Sequence, residues 1–168
     1  MTLVEKIERE ADRILNTTYA GARFNCNLRD HGWKFEWSKR TSSLGHCSYG
    51  KRTIYVSRVL LEQNPEKEDE WIDTVRHEAA HALCGEIYNE GGHGRKWKMC
   101  CVLTGARPER LATVPMEHKA RWKVTCPNCK TTVYRDRVRK DAACAPCCKK
   151  YNKGRWSREF VMTKERNK

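Results

Sequence analysis

The 168-residue chain lacks any long hydrophobic run. No stretch approaches the roughly 18 consecutive apolar residues that a membrane-spanning helix needs. Its opening segment, MTLVEKIEREADRIL, has neither the basic start nor the apolar run of an export signal. We therefore expect an intracellular protein, cytoplasmic or associated with the nucleoid or nucleus, that does not contact membranes. Apolar residues make up 39% and charged residues 33% of the chain, which suits one folded domain with a small appendage.

Cysteine is abundant, with ten residues of this type. In a secreted protein such a number would predict a disulfide framework, but without an export signal we expect the thiols to stay reduced. Closely spaced cysteines are then more typical of a metal site. Only the last five are clustered, namely Cys126, Cys129, Cys144, Cys147 and Cys148.

Positive charge is concentrated at the C-terminal end. Residues 1–116 contain 18 Lys/Arg and 16 Asp/Glu, whereas residues 117–168 contain 16 Lys/Arg and 5 Asp/Glu. The net charge is thus +2 for the first segment and +11 for the second. A near-neutral body followed by a strongly basic module favours binding to a polyanion, most often nucleic acid. The alternative is a basic surface that serves solubility alone.

Periodicity predicts a mixed α+β body. Residues 3–15 have the apolar spacing of an amphipathic helix. Alternation in residues 33–37 and β-branched composition in residues 51–57 predict a small antiparallel sheet of about three strands. A second helix is expected from residues 66–69 to the glycine pair Gly91-Gly92, and a third over residues 94–103, followed by a linker at 106–118.

The second predicted helix carries the sequence His77-Glu78-Ala79-Ala80-His81, an HExxH motif. Residues four apart share one face of a helix, so both imidazoles can bind one ion. Neutral histidine nitrogens are zinc ligands, and Glu78 lies beside the position that a catalytic zinc keeps open. There it can act as the general base and acid of hydrolysis. The alternative is a helix with two surface histidines.

A catalytic zinc site needs a third protein ligand. His93 is the strongest candidate, because a chain that turns at Gly91-Gly92 can return it to the metal. The other candidates are His31, His46, His118, Glu86 and Glu90.

Residues 77–101, HEAAHALCGEIYNEGGHGRKWKMCC, resemble the SprT-like metallopeptidase family, in which HExxH is followed after a spacer by HGxxW and a cysteine-containing helix. Residues 44–57, LGHCSYGKRTIYVS, are similar to the strand pair that precedes the family's active-site helix. The resemblance implies a minimal zincin-like fold and a zinc peptidase with Glu78 catalytic and His77, His81 and His93 as ligands. Candidate oxyanion stabilisers are Tyr49, Tyr88, Arg76 and His46.

Two CxxC pairs follow, Cys126 with Cys129 and Cys144 with Cys147, separated by 14 residues. This spacing is typical of a zinc ribbon with four thiolate ligands and no open position. Cys148 could replace Cys147, and a redox dithiol pair is the alternative chemistry. We expect a metallopeptidase domain over residues 1–116, a zinc ribbon over 117–153 and a basic tail over 154–168. SprT-like proteins commonly carry such a ribbon, so the resemblance agrees with this order.

These observations predict a monomeric endopeptidase with two zinc ions, one catalytic and one structural. The resemblance implies DNA-bound or DNA-crosslinked proteins as substrates. The basic ribbon would bind DNA, and aromatic residues among its cations suit single strands. Two alternatives remain: a non-catalytic nucleic-acid-binding adaptor or regulator, and a processing protease that uses its charge only for substrate choice. The aromatic residues concerned are Trp122, Tyr134, Tyr151 and Trp156.

Overall fold

In the computed structural model, which describes residues 1–110 and 120–167, the chain forms two units, Met1–Glu117 and His118–Lys168. The predicted linker at 106–118 falls mostly on residues 111–119, outside the described residues. No helix among the described residues is long and apolar enough to cross a membrane. The first unit contains α1 (Leu3–Asn16), β1 (Thr18–Gly21), β2 (Phe24–Asn27), β3 (Lys34–Ser38), β4 (Gly45–Ser48), β5 (Thr53–Ser57), α2 (Arg58–Gln63), α3 (Glu68–Tyr88) and α4 (Arg95–Thr104).

The first helix, α1, confirms the amphipathic pattern of its sequence. Thr2 and Glu5 form a reciprocal capping box at its start, which satisfies backbone N–H groups that the helix itself leaves unpaired. Its apolar stripe is buried against the core of the unit, and α1 packs on α3. The fully buried positions are Ile7, Ala11, Ile14 and Leu15.

The central sheet has the strand order β3-β5-β4. Strands β4 and β5 form the antiparallel pair expected of a hairpin, but β3 pairs with β5 in parallel. The prediction of a wholly antiparallel sheet is therefore wrong for β3. The reason is that the chain leaves β3 and crosses to the far edge before it returns as β5, so β3 and β5 run in the same direction. As a result, β4 is an edge strand of this sheet.

Helices α3 and α4 confirm the two helices predicted after the sheet, with small differences at their ends. Helix α3 ends at Tyr88, and Asn89 takes the left-handed conformation (φ 51°), two residues before the predicted glycine stop. Gly94 caps the start of α4, and Gly105, with φ 77°, ends it. The two helices pack against each other, and the strand β4 lies against α3.

The second unit contains a sheet in the order β7-β6-β8, with both pairs antiparallel. The predicted tail is not separate from the ribbon, because β8 pairs with β6 along its whole length. Of the six buried apolar residues described in this unit, four are cysteines, and the other two are Val124 and Phe160. The elements are β6 (Trp122–Thr125), β7 (Thr132–Arg135), α5 (Ala145–Tyr151), a short 3-10 helix (Arg158–Phe160) and β8 (Thr163–Arg166).

Candidate metal centres and active site

Three histidines converge beside the middle of the long helix α3. His77 and His81 lie one turn apart on α3 and project to the same side, with ring centres 5.0 Å apart. His93 comes from the segment between α3 and α4. The left-handed Asn89 and Gly92 (φ +79°) turn that segment back over the helix. The structure therefore brings together the three histidines that the sequence singled out.

The spacing of the ring nitrogens suits a single metal ion. His93 Nε2 lies 3.2 Å from His77 Nε2 and 3.1 Å from His81 Nε2, and all three donor atoms lie within 4.8 Å of one another. Two ligands at about 2.0–2.1 Å from a tetrahedral zinc would be separated by roughly 3.3 Å. The donor set is thus compatible with zinc, and no fourth ligating side chain joins it in the described part of the chain.

The three imidazoles are held in the neutral form that a metal requires. Burial, followed by the charge of neighbouring histidines, lowers the pKa of His77 to about 4 and that of His81 to about 3. The pKa of His93 is also lowered, first by burial and then by the positive charge of Arg110. At neutral pH each ring can therefore offer a lone pair.

Trp97 of α4 contacts all three histidines. Its ring centre lies 4.5 Å from that of His93, 4.8 Å from that of His77 and 5.3 Å from that of His81. The indole is 1% exposed, so the fold fixes it tightly. Its packing therefore orients the rings before any metal binds, as contacts around a metal site commonly do.

Glu78 lies between α3 and the edge strand β4. It is 8% exposed, and burial raises its pKa to about 8, against the opposing effect of a hydrogen bond from the backbone N–H of Cys47. Gly45 allows this close approach: a Cβ there would lie 2.8 Å from Glu78 Cγ and 2.8 Å from Thr74 Cγ2. The carboxyl group is therefore held by the strand. A nearby cation would favour its ionised form.

Among the other candidates for the third ligand, His46 lines the same cleft but does not join the cluster of donor atoms, and His31, Glu86 and Glu90 make contacts elsewhere. His31 Nδ1 lies 3.0 Å from Glu86 Oε2, and Glu90 Oε1 lies 2.6 Å from Lys96 Nζ. Glu86 Oε1 also lies 3.8 Å from Arg52 Nη2, so both carboxylates have partners away from the histidine cluster. His118 lies outside the described residues.

Two of the four candidate oxyanion stabilisers line the same cleft as the histidines. His46 stacks on Tyr55, with ring centres 4.5 Å apart, and its buried Nδ1 has no hydrogen-bond partner within the described residues. The Tyr49 hydroxyl donates to the carbonyl oxygen of His81 over 3.3 Å. Tyr49 therefore lines the cleft, but its hydroxyl hydrogen is already donated to a backbone carbonyl oxygen.

The other two candidates do not reach the cleft. Tyr88 packs edge-on against Phe24 on the first unit's core, with ring centres 6.4 Å apart. The Arg76 guanidinium pairs with Glu10, with Nε 2.6 Å from the carboxylate oxygen. Neither side chain lines the cavity that contains Glu78.

The cleft has a volume of about 490 Å³. Besides the histidines and Glu78 it is lined by two arginines that the sequence analysis did not single out, Arg40 and Arg110. Arg40 lies on the connection between β3 and β4, and Arg110 follows α4. Neither belongs to a motif, so only the folded chain reveals that both reach the same cavity.

The second candidate metal centre consists of four cysteines. Cys126 Sγ lies 3.8 Å from Cys147 Sγ, and Cys129 Sγ lies 3.7 Å from Cys144 Sγ. All four sulfurs lie within 4.8 Å of one another. At a Zn–S distance of about 2.3 Å, tetrahedral geometry separates two sulfurs by roughly 3.8 Å. The cluster is therefore compatible with a structural zinc.

The positions of the sulfur atoms show which of the five clustered cysteines form the candidate metal site. Cys148 is buried on α5 but does not join the four sulfurs, so Cys147 is the member that the geometry favours. The Asn128 amide lies 3.4 Å from Cys147 Sγ. Hydrogen bonding with Thr131 lowers the pKa of Cys129 to about 6, which favours the thiolate that binds metal.

Comparison with known protein families identifies the family to which the chain is similar. The model of the SprT-like family matches residues 12–139, which is more than half of the chain and contains the three histidines, Glu78 and the first cysteine pair. The second pair, Cys144 and Cys147, lies beyond the matched segment. No curated protein and no solved structure matches the chain. The family match and the histidine cluster together lead to one conclusion: this chain belongs to the SprT-like family.

Proposed function

We propose that the protein is a zinc-dependent endopeptidase that acts inside the cell on DNA-associated or DNA-crosslinked proteins. The observation that carries the peptidase assignment is the juxtaposition of the three neutral imidazoles with the buried carboxyl group of Glu78 in one cleft. Three protein ligands leave a coordination position for water or substrate, as catalytic sites require. A saturated four-ligand site would have favoured the alternative of a non-catalytic adaptor.

A zinc ion held by His77, His81 and His93 would supply Lewis acidity toward water and the peptide carbonyl group. Glu78 takes the proton from the attacking water and passes it to the leaving amine. The hydrogen bond from Cys47 N–H keeps the carboxyl group beside the cleft.

The edge strand β4 suits an extended peptide. Ser57 N–H donates to the Leu44 carbonyl oxygen over 2.7 Å, so these residues form a hydrogen-bonded pair of the β4–β5 ladder. By alternation, the backbone groups of Gly45 and Cys47 face away from β5, toward the outer side of the strand. The Cys47 N–H is occupied by Glu78, so a substrate strand can pair with the Gly45 backbone groups and the Cys47 carbonyl oxygen and cross the cleft at Glu78.

The second unit supports the DNA part of the proposal. Four thiolates and one zinc ion would reduce the +11 of residues 117–168 to about +9. Trp122 on β6 has Lys164 Nζ 5.0 Å and the Arg166 guanidinium carbon 5.7 Å from its ring centre. Aromatic rings beside cations combine base stacking with phosphate contacts, which favours single strands. Trp122 is half-buried, and the exposed aromatic side chains described on this unit are Tyr134, Tyr151 and Trp156.

The test is cleavage of a DNA-binding protein with and without single-stranded DNA. We expect DNA to accelerate cleavage by the wild-type protein, and Glu78→Gln to lose about 10²–10⁴-fold in rate while keeping its zinc. Trp122→Ala should remove the DNA stimulation and leave cleavage of a short peptide unchanged. Equal cleavage by Glu78→Gln and wild type would refute the peptidase assignment. Undiminished DNA stimulation in Trp122→Ala would refute the role given to this tryptophan.

A further inference from the structure

The charges around the cleft are unbalanced. Among the described residues that line it, Glu78 is the one carboxylate, whereas Arg40 and Arg110 both reach it. This imbalance is local, because residues 1–116 carry a net charge of only +2.

Most arginines of the first unit are paired with carboxylates, and these two are exceptions. Arg13 and Arg76 contact Glu10, and Arg58 contacts Glu62. In the described part of the chain no carboxylate lies within ion-pair distance of the Arg40 or Arg110 guanidinium. Their charge is therefore available to a ligand.

The two backbone segments that carry Arg40 and Arg110 are each fixed by contacts with neighbouring elements. The Ser57 hydroxyl donates to the Arg40 carbonyl oxygen over 2.5 Å, which ties the connection before β4 to the end of β5. Arg107, three residues before Arg110, binds Glu70 and Asp73 of α3, with N–O distances of 2.8 Å and 3.1 Å. The two guanidinium groups are thus carried by segments fixed to the walls of the cleft.

The positive field reaches the interior of the cleft. Arg40 contributes, after burial, to lowering the pKa of His46, and Arg110 lines the same cleft as His46. The neighbouring cavity differs. It has a volume of about 400 Å³ on the other side of Tyr49, and its two carboxylates, Glu86 and Glu90, are already paired with Arg52 and Lys96.

We propose that Arg40 and Arg110 select substrates with an acidic side chain next to the scissile bond. This inference rests on the proposed peptidase function and names its substrate class. A guanidinium group binds a carboxylate through two parallel hydrogen bonds, and it repels a lysine or arginine at the same place. The backbone groups on the outer edge of β4 favour a peptide over the phosphates of a nucleic acid as the partner of these arginines.

The experiment uses full-length, zinc-loaded protein and three peptides that differ at one position beside the scissile bond, with Glu, Gln or Lys. We expect kcat/KM for the Glu peptide to exceed that for the Lys peptide by about tenfold or more at low salt. The double variant Arg40→Gln/Arg110→Gln should bring this ratio close to one. Arg23→Gln, at an exposed arginine in the β1–β2 turn that lines neither cavity, is the matched control and should keep the wild-type ratio.

Binding provides a readout that does not depend on turnover. Fluorescence anisotropy with the Glu78→Gln variant should show tighter binding of the Glu peptide than of the Lys peptide, and the arginine substitutions should remove the difference. Equal affinity for the two peptides would overturn the inference. So would an affinity difference that survives the double variant, or a double variant that loses DNA binding and keeps its peptide preference. Failure of the peptidase assignment is distinct, because it appears as cleavage that Glu78→Gln does not reduce.

Discussion

Gly45→Ala should distort the cleft. The new Cβ would lie 2.8 Å from both Glu78 Cγ and Thr74 Cγ2, about 0.6 Å short of ordinary contact, and 3.0 Å from the Tyr55 carbonyl oxygen. Because one neighbour is backbone and the others belong to α3, the strand itself must move. Overpacking of this kind costs about 1–3 kcal/mol.

The displacement should affect both stability and chemistry. For a unit of this size the melting temperature falls by roughly 5 °C per kcal/mol, so thermal unfolding should show a decrease of about 5–15 °C. Moving β4 also moves the Cys47 N–H that holds Glu78. A displacement approaching 1 Å can cost about 10²-fold in rate, so kcat should fall while the zinc content is unchanged.

Gly50→Ala is the matched control, because Gly50 lies in the turn after β4 and a Cβ there meets nothing within 4 Å. It should keep both the melting temperature and kcat of the wild type. If Gly45→Ala behaves like this control, the close packing of β4 on Glu78 is incorrect.

Three further predictions concern the two candidate metal centres. Cys144→Ser should release the zinc of the second unit and unfold that unit. Cys148→Ser is the control and should keep the metal, because Cys148 is buried but lies outside the cluster. Elemental analysis measures the zinc content of each variant, and circular dichroism measures its folding. Since burial lowers the pKa of His77 to about 4 and that of His81 to about 3, protons should displace the histidine-bound metal only as pH falls toward 4; release already near pH 6.5 in a zinc titration would contradict this. Trp97→Leu should weaken zinc binding at the histidines by about 10–100-fold through loss of ring support, with Trp97→Phe intermediate, as chelator competition would measure.

The sequence was sufficient for features that depend on local spacing. Residues four apart on a helix share a face, so His77 and His81 were predictable as a pair. The glycine pair before His93 indicated a turn, although the turn begins earlier, at the left-handed Asn89. The two CxxC pairs likewise indicated four converging thiols, and the structure favours Cys147 over Cys148.

Features that depend on long-range pairing were not predictable from one sequence. Alternation identifies a strand but not the direction of its partner, so the parallel pairing of β3 with β5 was missed. The pairing of β8 with β6 was missed for a related reason. All four residues of β8 are charged or polar, so the sequence resembles a basic tail and not a strand. Arg40 and Arg110 are 70 positions apart, and no spacing rule connects them to the histidines.

The composition of the second unit's core has a consequence for how the protein responds to oxidants. Its buried apolar side chains, among the described residues, are Val124, Phe160 and four cysteines, and three of these cysteines belong to the candidate metal cluster, so these three make up half of what the unit buries. Cys129 is the exposed member of the cluster and has its pKa lowered to about 6, which makes it the first thiolate that peroxide would meet. The first unit buries Trp33, Trp71 and Trp97, and burial raises the pKa of its core cysteines, Cys26, Cys84, Cys100 and Cys101, which keeps them as less reactive thiols. Mild oxidation should therefore dismantle the basic unit first, leaving a protein in which the histidine cluster and Glu78 remain folded without the basic module.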